Sequence, residues 1–401
     1  MLQRYLDAIE ERHVNAAPAH AAEYRGTVDE AALRHAFELV CVRHPVLRAR
    51  VRAGERGHLL YVPPGHWPEV TVLDGDGTTL LRAVHAPWDP ARAVSRLILV
   101  KGENHGFVAL RVDHSVMDGH SFRAMFEQLW NLYGDLLGAA DVSVPVGRSL
   151  PCPPSELLGE RWHGASCAPP PESPDAAPGT STDGPVRPVQ GYIRLSGAQT
   201  ERLLSVVRRR KTSVHAAVCG AVLATHRAHG APPEGGGEPM YCLSPVNLRD
   251  RVTPPVGVTQ TTMFVAVHAA RVTVPFDADP LAVAHSVKEQ LDTAVARREL
   301  LLSLDAGRLL KATGPASLDA RLRIAQVSNN GVLHSALRDP RRVEVVRFLM
   351  PADVTSSVFP IYSVYTYRGH LSIRYLYPST LFSRAQADRL SASVTTRLTA
   401  M

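Results

Sequence analysis

Arg111-Val-Asp-His-Ser-Val-Met-Asp-Gly-His120 is the stretch on which the reading of this 401-residue chain turns. Before it, Phe107-Val-Ala-Leu-Arg-Val112 alternates, with Val108, Leu110 and Val112 on one face, which predicts a half-buried strand. Asp118-Gly119 then signals a tight turn, for which Gly119 would supply backbone freedom. Beyond it, Phe122, Met125, Phe126, Leu129, Tyr133 and Leu136 recur at helical spacing, with Ser121 as the expected cap. Strand, turn and amphipathic helix together hold His114 at the end of an element, where an imidazole can serve as a general base.

The spacing His-x-x-x-Asp is weak evidence on its own, since among 18 His it arises by chance about once. His85-Ala-Pro-Trp-Asp89 is such a second copy. Pro87 and Pro90 break that segment and no glycine follows Asp89, so His85 reads as structural or surface.

Toward the N-terminus, Leu33, Ala36, Phe37, Val40 and Cys41 form one helical face behind Asp29, and Pro45 ends that helix near Arg43. A strand over Val46–Val51 is expected next, with Arg48, Arg50 and Arg52 alternating toward solvent. Another strand is expected around Arg96–Val100. Between 151 and 188 the composition turns rich in Pro, Ser, Gly and Asp, which predicts an extended linker containing Cys152 and Cys167. The expected organisation is therefore an N-terminal lobe over 1–150, a linker over 151–188 and a C-terminal lobe over 189–401. The second half resumes with a strand over Val189–Leu195, a helix over Glu201–Arg209 and an Ala-rich helix from Ser213 that is apolar nearly all round and so buried. Asp279-Pro280 opens a further helix, Arg368-Gly369 joins a hairpin, and Ser383 with Gln386 forms a capping box. Alternating strands and helices indicate an α/β class with mixed sheets.

Composition narrows the function. A chain of this length exceeds one ordinary core, and 45% hydrophobic residues can fill two. The net charge of +6 is mild and its Lys and Arg are scattered, with Arg208-Arg-Arg-Lys211 reading as a solvated helix end, so nucleic acid is not an expected partner. No apolar stretch approaches the roughly 20 residues of a membrane span, and the first residues lack a secretion signal, so a cytoplasmic monomer is expected. Five Cys without Cys-x-x-Cys argue against a disulfide framework and a zinc site. His226 and His229 read as exposed helix-end residues, and no metal is expected. Gly-x-Ser-x-Gly, phosphate-loop and dinucleotide fingerprints are missing.

His114-Ser-Val-Met-Asp118-Gly119 resembles the His-x-x-x-Asp-Gly motif of the chloramphenicol acetyltransferase-like superfamily, which includes condensation domains, polyketide-associated acyltransferases and plant BAHD acyltransferases. Three further segments are similar in order and spacing: Leu33–Val51 with Arg43-His-Pro-Val-Leu-Arg48, Pro245–Pro255 with Asn-Leu-Arg249, and Val327-Ser-Asn-Asn-Gly331. The resemblance implies two similar α/β lobes, a channel between them, and His114 as general base for acyl transfer from a thioester to a hydroxyl, or less readily an amine, without an acyl-enzyme. Acyl-coenzyme A or an acyl-phosphopantetheine on a carrier protein would be co-substrate, a natural-product alcohol or amine the acceptor, and no cofactor would be bound permanently. Asp118 would pair with Arg249 in a buried bridge that shapes the loop. Ser328, Asn329 and Asn330 are candidate donors to a tetrahedral oxyanion. Asp113 stands where many members carry His: it could raise the pKa of His114, or point into the sheet edge. The plant Asp-Phe-Gly-Trp-Gly segment is absent, which brings the chain nearer the bacterial branch. The competing reading is a family-shaped protein without acyl transfer, acting as a carrier-protein docking module or a cyclase.

Overall fold

The computed structural model describes residues 2–138, 142–161, 188–230, 236–300, 321–334, 343–351 and 359–401. In chain order the first elements are β1 (Gln3–Tyr5), α1 (Ala8–Glu11), β2 (Ala19–Gly26), α2 (Glu30–Arg43), β3 (Arg50–Gly54), β4 (Gly57–Tyr61) and β5 (Val70–Asp74). Then come α3 (Gly77–Val84), β6 (Ser95–Lys101), β7 (His105–Val112), α4 (Gly119–Leu137) and α5 (Pro154–Arg161). The remainder is β8 (Val189–Arg194), α6 (Gly197–Arg209), α7 (Val214–His229), β9 (Glu238–Asn247), β10 (Val265–Val274) and α8 (Pro280–Arg297). It closes with β11 (Ile324–Leu333), β12 (Val343–Leu349), β13 (Ile361–Tyr367), β14 (His370–Tyr377) and α9 (Arg384–Ala400).

The class is α/β with mixed sheets. The chain divides into two compact units, the first comprising Met1–Trp162, Leu248–Phe264 and Leu333–Val354, the second the remainder. These units are interleaved along the chain, unlike the expected succession of 1–150, 151–188 and 189–401. Two returning segments explain the difference: β12 pairs with β2, and Arg249 ion-pairs with Asp118. Part of the expected linker is also ordered, since α5 lies in it and Cys152 exchanges hydrogen bonds with Gln260 O (2.8 Å) and Thr261 Oγ1 (2.7 Å). Cys167 and residues 162–187 lie outside the described residues.

In the first unit a five-stranded sheet runs β12-β2-β7-β6-β5, parallel only between β5 and β6, beside a small sheet β1-β4-β3. Strand β7 is central, and from Gly106 to Val112 every residue is buried rather than every second one. The unexpected face is closed by Ala109, which is small, and by Arg111, whose guanidinium reaches Ala17 O (3.2 Å) and Ala86 O (2.8 Å) and lies over the Trp88 ring. Helix α4 buries Phe122, Met125, Phe126, Leu129, Trp130 and Tyr133, and packs on α2, which buries Leu33, Ala36, Phe37, Val40 and Cys41. The Asp29 N–H at the cap of α2 donates to Tyr133 Oη (3.0 Å), locking the two helices in register.

The second unit holds a six-stranded sheet β10-β9-β11-β13-β14-β8. Helix α7 is buried from Ala216 through Arg227. Its Gly220 permits close approach of α8, since a Cβ there would sit 2.0 Å from Pro280 O. Asp279 caps α8 with Pro280 first, and Ser383 and Gln386 reciprocate as a capping box on α9. Arg368 and Gly369 both take positive φ (49° and 76°) in the β13–β14 hairpin, as a tight primed turn requires. His226 is not an exposed helix end: it is fully buried, with Nδ1 on Leu322 O (2.9 Å) and Nε2 on Tyr362 Oη (2.8 Å), while His229 is exposed.

Candidate active site

Strand β7 stops at Val112, and the next two residues are held by backbone bonds to separate segments. Asp113 N–H donates to Val94 O (2.8 Å) and His114 N–H to Ala16 O (2.6 Å). A short 3-10 turn, His114–Val116, follows. The imidazole is half-buried and its Nδ1 lies 2.6 Å from Met117 O. A carbonyl oxygen only accepts, so Nδ1 carries the hydrogen and the neutral ring presents its lone pair at Nε2. The turn thus selects the tautomer that a base acting through Nε2 requires.

The Asp113 side chain is fully buried. Its carboxylate accepts four hydrogen bonds: from Ser115 N–H (3.1 Å) and Ser115 Oγ (2.5 Å) on one oxygen, and from Trp88 Nε1 (2.9 Å) and Asn15 N–H (3.1 Å) on the other. None involves the His114 ring. Burial raises the Asp113 pKa, and these bonds oppose the rise without cancelling it. Asp113 is therefore the clamp of the turn, and Asn15 adopts a positive φ of 71° to reach it.

Asp118, rather than Ser121, is the N-cap of α4. Its Oδ1 accepts from His120 N–H (3.0 Å), Ser121 N–H (2.9 Å) and Ser121 Oγ (3.0 Å), and Ser121 completes the capping box from the third helical position. Its Oδ2 accepts from Arg249 Nη1 (2.7 Å) and Phe264 N–H (3.0 Å). Both partners of the ion pair are almost fully buried. Burial pushes the Asp118 pKa up, but the Arg249 charge and the N–H donors outweigh it and hold the carboxyl below its ordinary value. Gly119 is simply the first residue of α4 and has no positive φ, so the freedom expected of it is not used.

His114, Asp113, Asp118, Gly119 and Arg249 thus all fall in the first unit, on one turn and its brace. Ser328, Asn329 and Asn330 belong to β11 of the second unit. There Val327 is buried in the core, while the half-buried Ser328 and Asn330 alternate with it. Asn329 is exposed, and its side-chain oxygen accepts from Gly331 N–H (3.0 Å).

Two features escaped the sequence. The His13 ring lies 4.9 Å from that of His114, tilted by 50°, and burial, with His114 and Arg12 adding to it, lowers its pKa to about 3, so it stays neutral. Nothing in the sequence links positions 13 and 114. Glu10 is fully buried, is gripped by both terminal nitrogens of Arg4 (2.6 and 2.7 Å), and accepts from Thr262 Oγ1, whose backbone oxygen accepts from Asp118 N–H (2.9 Å). Here a signal existed, since Asp7 and Glu10 form a capping box on α1. Among the described residues no group of His, Cys, Asp and Glu could hold a metal ion, and no helix is long and apolar enough to cross a membrane.

The family described as phthiocerol/phthiodiolone dimycocerosyl transferase C-terminus matches residues 184–376. The phthiocerol/phthiodiolone dimycocerosyl transferase of Mycobacterium ulcerans is 26% identical over 356 residues, covering 82% of this chain and 80% of its own. Among solved structures, polyketide synthase associated protein 5 from Mycobacterium tuberculosis superposes with a TM-score of 0.78 at 19% identity, over 99% of this chain and 97% of the other. The first condensation domain of the calcium-dependent antibiotic synthetase gives 0.69 at 16%, over 100% and 97%. At these identities the two structures establish a shared fold.

Proposed function

We propose that the chain, which is similar to acyltransferases of the chloramphenicol acetyltransferase-like superfamily, moves an acyl group from a thioester of coenzyme A or a carrier protein to an alcohol of a natural product, with His114 as general base. The observation that carries this reading is the contact of His114 Nδ1 with Met117 O, which leaves Nε2 as the basic nitrogen. An acceptor O–H set against Nε2 gives its proton to the ring as the oxygen attacks the thioester carbonyl. The tetrahedral oxyanion then collapses, the C–S bond breaks, and the departing thiolate takes the proton from the imidazolium. The products are an ester and a free thiol, with the ring neutral again. While the ring is charged, the Nδ1–H bond to Met117 O becomes charge-assisted and stronger.

In this mechanism Asp118 and Arg249 touch no reacting atom. They are positioning residues that fix the turn between β7 and α4. Ser328, Asn329 and Asn330 of β11 are the proposed oxyanion donors; the side-chain amide N–H of Asn330 is already directed at Val364 O (3.5 Å), whereas the bond from Gly331 N–H engages only the oxygen of Asn329. The same reading makes the protein a cytoplasmic enzyme that binds its acyl donor only as co-substrate. Asp113, which kept a non-catalytic role open, is consumed in clamping the turn and gives that alternative no support. Incubation with acyl-coenzyme A and acyl-carrier thioesters plus a panel of alcohols tests the proposal. His114→Ala is expected to lower turnover by about 10²–10⁴-fold. Equal turnover by both proteins would contradict it.

A further inference from the structure

A cavity of about 510 Å³ opens in the first unit where β3, the loop after β4 and the loop before β6 converge. Its volume lies within the roughly 300–1,000 Å³ typical of small-molecule sites. Indoles of Trp67 and Trp88 stand in its wall, together with the guanidinium-bearing residues Arg50, Arg92 and Arg96 and the imidazole of His66. The two acids in the same wall are already engaged: Glu69 pairs with Arg96 (2.9 Å), and Asp89 accepts from Ala91 N–H (2.9 Å). Arg50 and Arg92 have no carboxylate partner among the described residues. The lining thus carries three guanidinium groups against two carboxylates, a surplus of one positive charge among the described residues.

The donors are arranged as well as numerous. Arg48 donates to His66 O (3.0 Å) and lies over the Trp67 ring (4.3 Å), stiffening the wall. Arg50 Nη2 lies 3.2 Å from His66 Nδ1, and because a guanidinium only donates, His66 Nδ1 accepts and its Nε2 carries the hydrogen. Burial, with Arg50 and Arg48 adding to it, lowers the His66 pKa, which keeps the ring in that neutral form. Arg50 Nε–H and His66 Nε2–H are both buried and have no acceptor among the described residues. Two N–H donors without an acceptor, one positive charge in excess and two flat aromatic walls define one chemistry. An oxyanion satisfies the donors, since guanidinium forks match phosphate and carboxylate oxygens. A planar ring satisfies the indoles, which favour stacking. Arg48, Arg50 and Arg52 were expected to alternate into solvent, but a 3-10 turn at Pro45–Arg48 replaces the start of that strand and leaves only Arg52 exposed.

We propose that this cavity is a binding site, separate from the acyl-transfer machinery, for a small planar ring bearing a phosphate or carboxylate group. Trp88 connects it to the turn, because its Nε1–H is one of the four donors that clamp Asp113, the residue before His114. A ligand stacked on Trp88 therefore presses on the support of the turn.

Calorimetric titration of the full chain, without any turnover assay, tests the site independently of the acyl-transfer reading. Adenosine monophosphate serves as the ring-plus-phosphate probe and benzoate as the ring-plus-carboxylate probe, with adenosine and inorganic phosphate as the half-ligands. At least one of the two whole probes is expected to bind with a Kd below about 1 mM, and the half-ligands about tenfold more weakly. Trp67→Ala and Arg92→Ala, both at exposed positions, should each weaken binding about tenfold, whereas Arg82→Gln on the exposed side of α3 should leave it unchanged. Binding of adenosine monophosphate alone identifies phosphate as the anion, and of benzoate alone carboxylate. Failure of both probes, or binding that Trp67→Ala and Arg92→Ala leave intact, overturns the proposal.

Discussion

His114 and His226 are both held by a backbone carbonyl at Nδ1, yet they sit in opposite situations. In the first unit Met117 O takes the hydrogen of His114 Nδ1, and the half-buried ring keeps Nε2 for something outside itself. In the second, Leu322 O and Tyr362 Oη engage both nitrogens of a fully buried ring, whose pKa burial lowers to about 4. One imidazole is oriented and the other is consumed. The difference teaches that a carbonyl anchor marks a base only when the second nitrogen remains available. The same contrast separates the two His-x-x-x-Asp copies. Asp89 merely accepts from Ala91 N–H in an exposed loop, whereas Asp118 is buried with five acceptor bonds that fasten strand, turn and helix together.

The comparison can be broken most severely at the brace. Asp118→Ala leaves the Arg249 charge buried and unpaired, and is expected to cost about 3–5 kcal/mol in stability. Chemical denaturation measures this, and a midpoint equal to wild type would mean that the pair does not hold the turn. Gly220→Ala probes the other unit: the added methyl meets Pro280 O and the backbone of Ala284, and should cost about 1–3 kcal/mol while leaving activity per folded molecule intact. Acidification sharpens the contrast through linkage. The unfolded His226 takes up its proton near pH 6.5, but the folded ring resists until about 4, so the folded state loses stability as pH falls below about 6.5. By pH 5 this amounts to about 2 kcal/mol, and His226→Gln should flatten that part of the stability–pH curve. Asp118 works in the opposite range: its lowered pKa gives stability that is complete above its unfolded value near 3.9 and is lost only below it. The smallest effect is expected from His13→Phe, which keeps a flat neighbour against the His114 ring and should change stability by about 1 kcal/mol or less. A larger loss in a melting experiment would give His13 a polar role that its neutral ring, tilted against that of His114, does not require.

Much of this was legible in the sequence because it is local. The strand before His114, the amphipathic α4, the Asp279-Pro280 start, the hairpin at Arg368-Gly369 and the Ser383 capping box each follow from residues within one or two turns of one another. Even locally, Asp118 took the cap from Ser121, because a carboxylate that also meets Arg249 and the Phe264 N–H gains more than a hydroxyl can. What stayed hidden depends on distant partners. Arg111 is buried on a strand face that should have met solvent, and Arg48 and Arg50 turn inward, since Trp88, Trp67 and His66 wait for them. His226 reads as exposed until Leu322 and Tyr362 arrive from elsewhere in the chain. His13 reaches His114 across a separation that no periodicity encodes.

The central claim is that His114 is held for chemistry and His226 for structure, and a crossed pair of variants tests it most directly. Turnover of an acyl thioester with an accepting alcohol and thermal melting are measured together for His114→Gln and His226→Gln. His114→Gln should keep stability within about 1 kcal/mol while losing about 10²-fold or more in kcat, and His226→Gln should lose about 1–3 kcal/mol while its folded fraction turns over normally. Full turnover by folded His114→Gln would contradict the account.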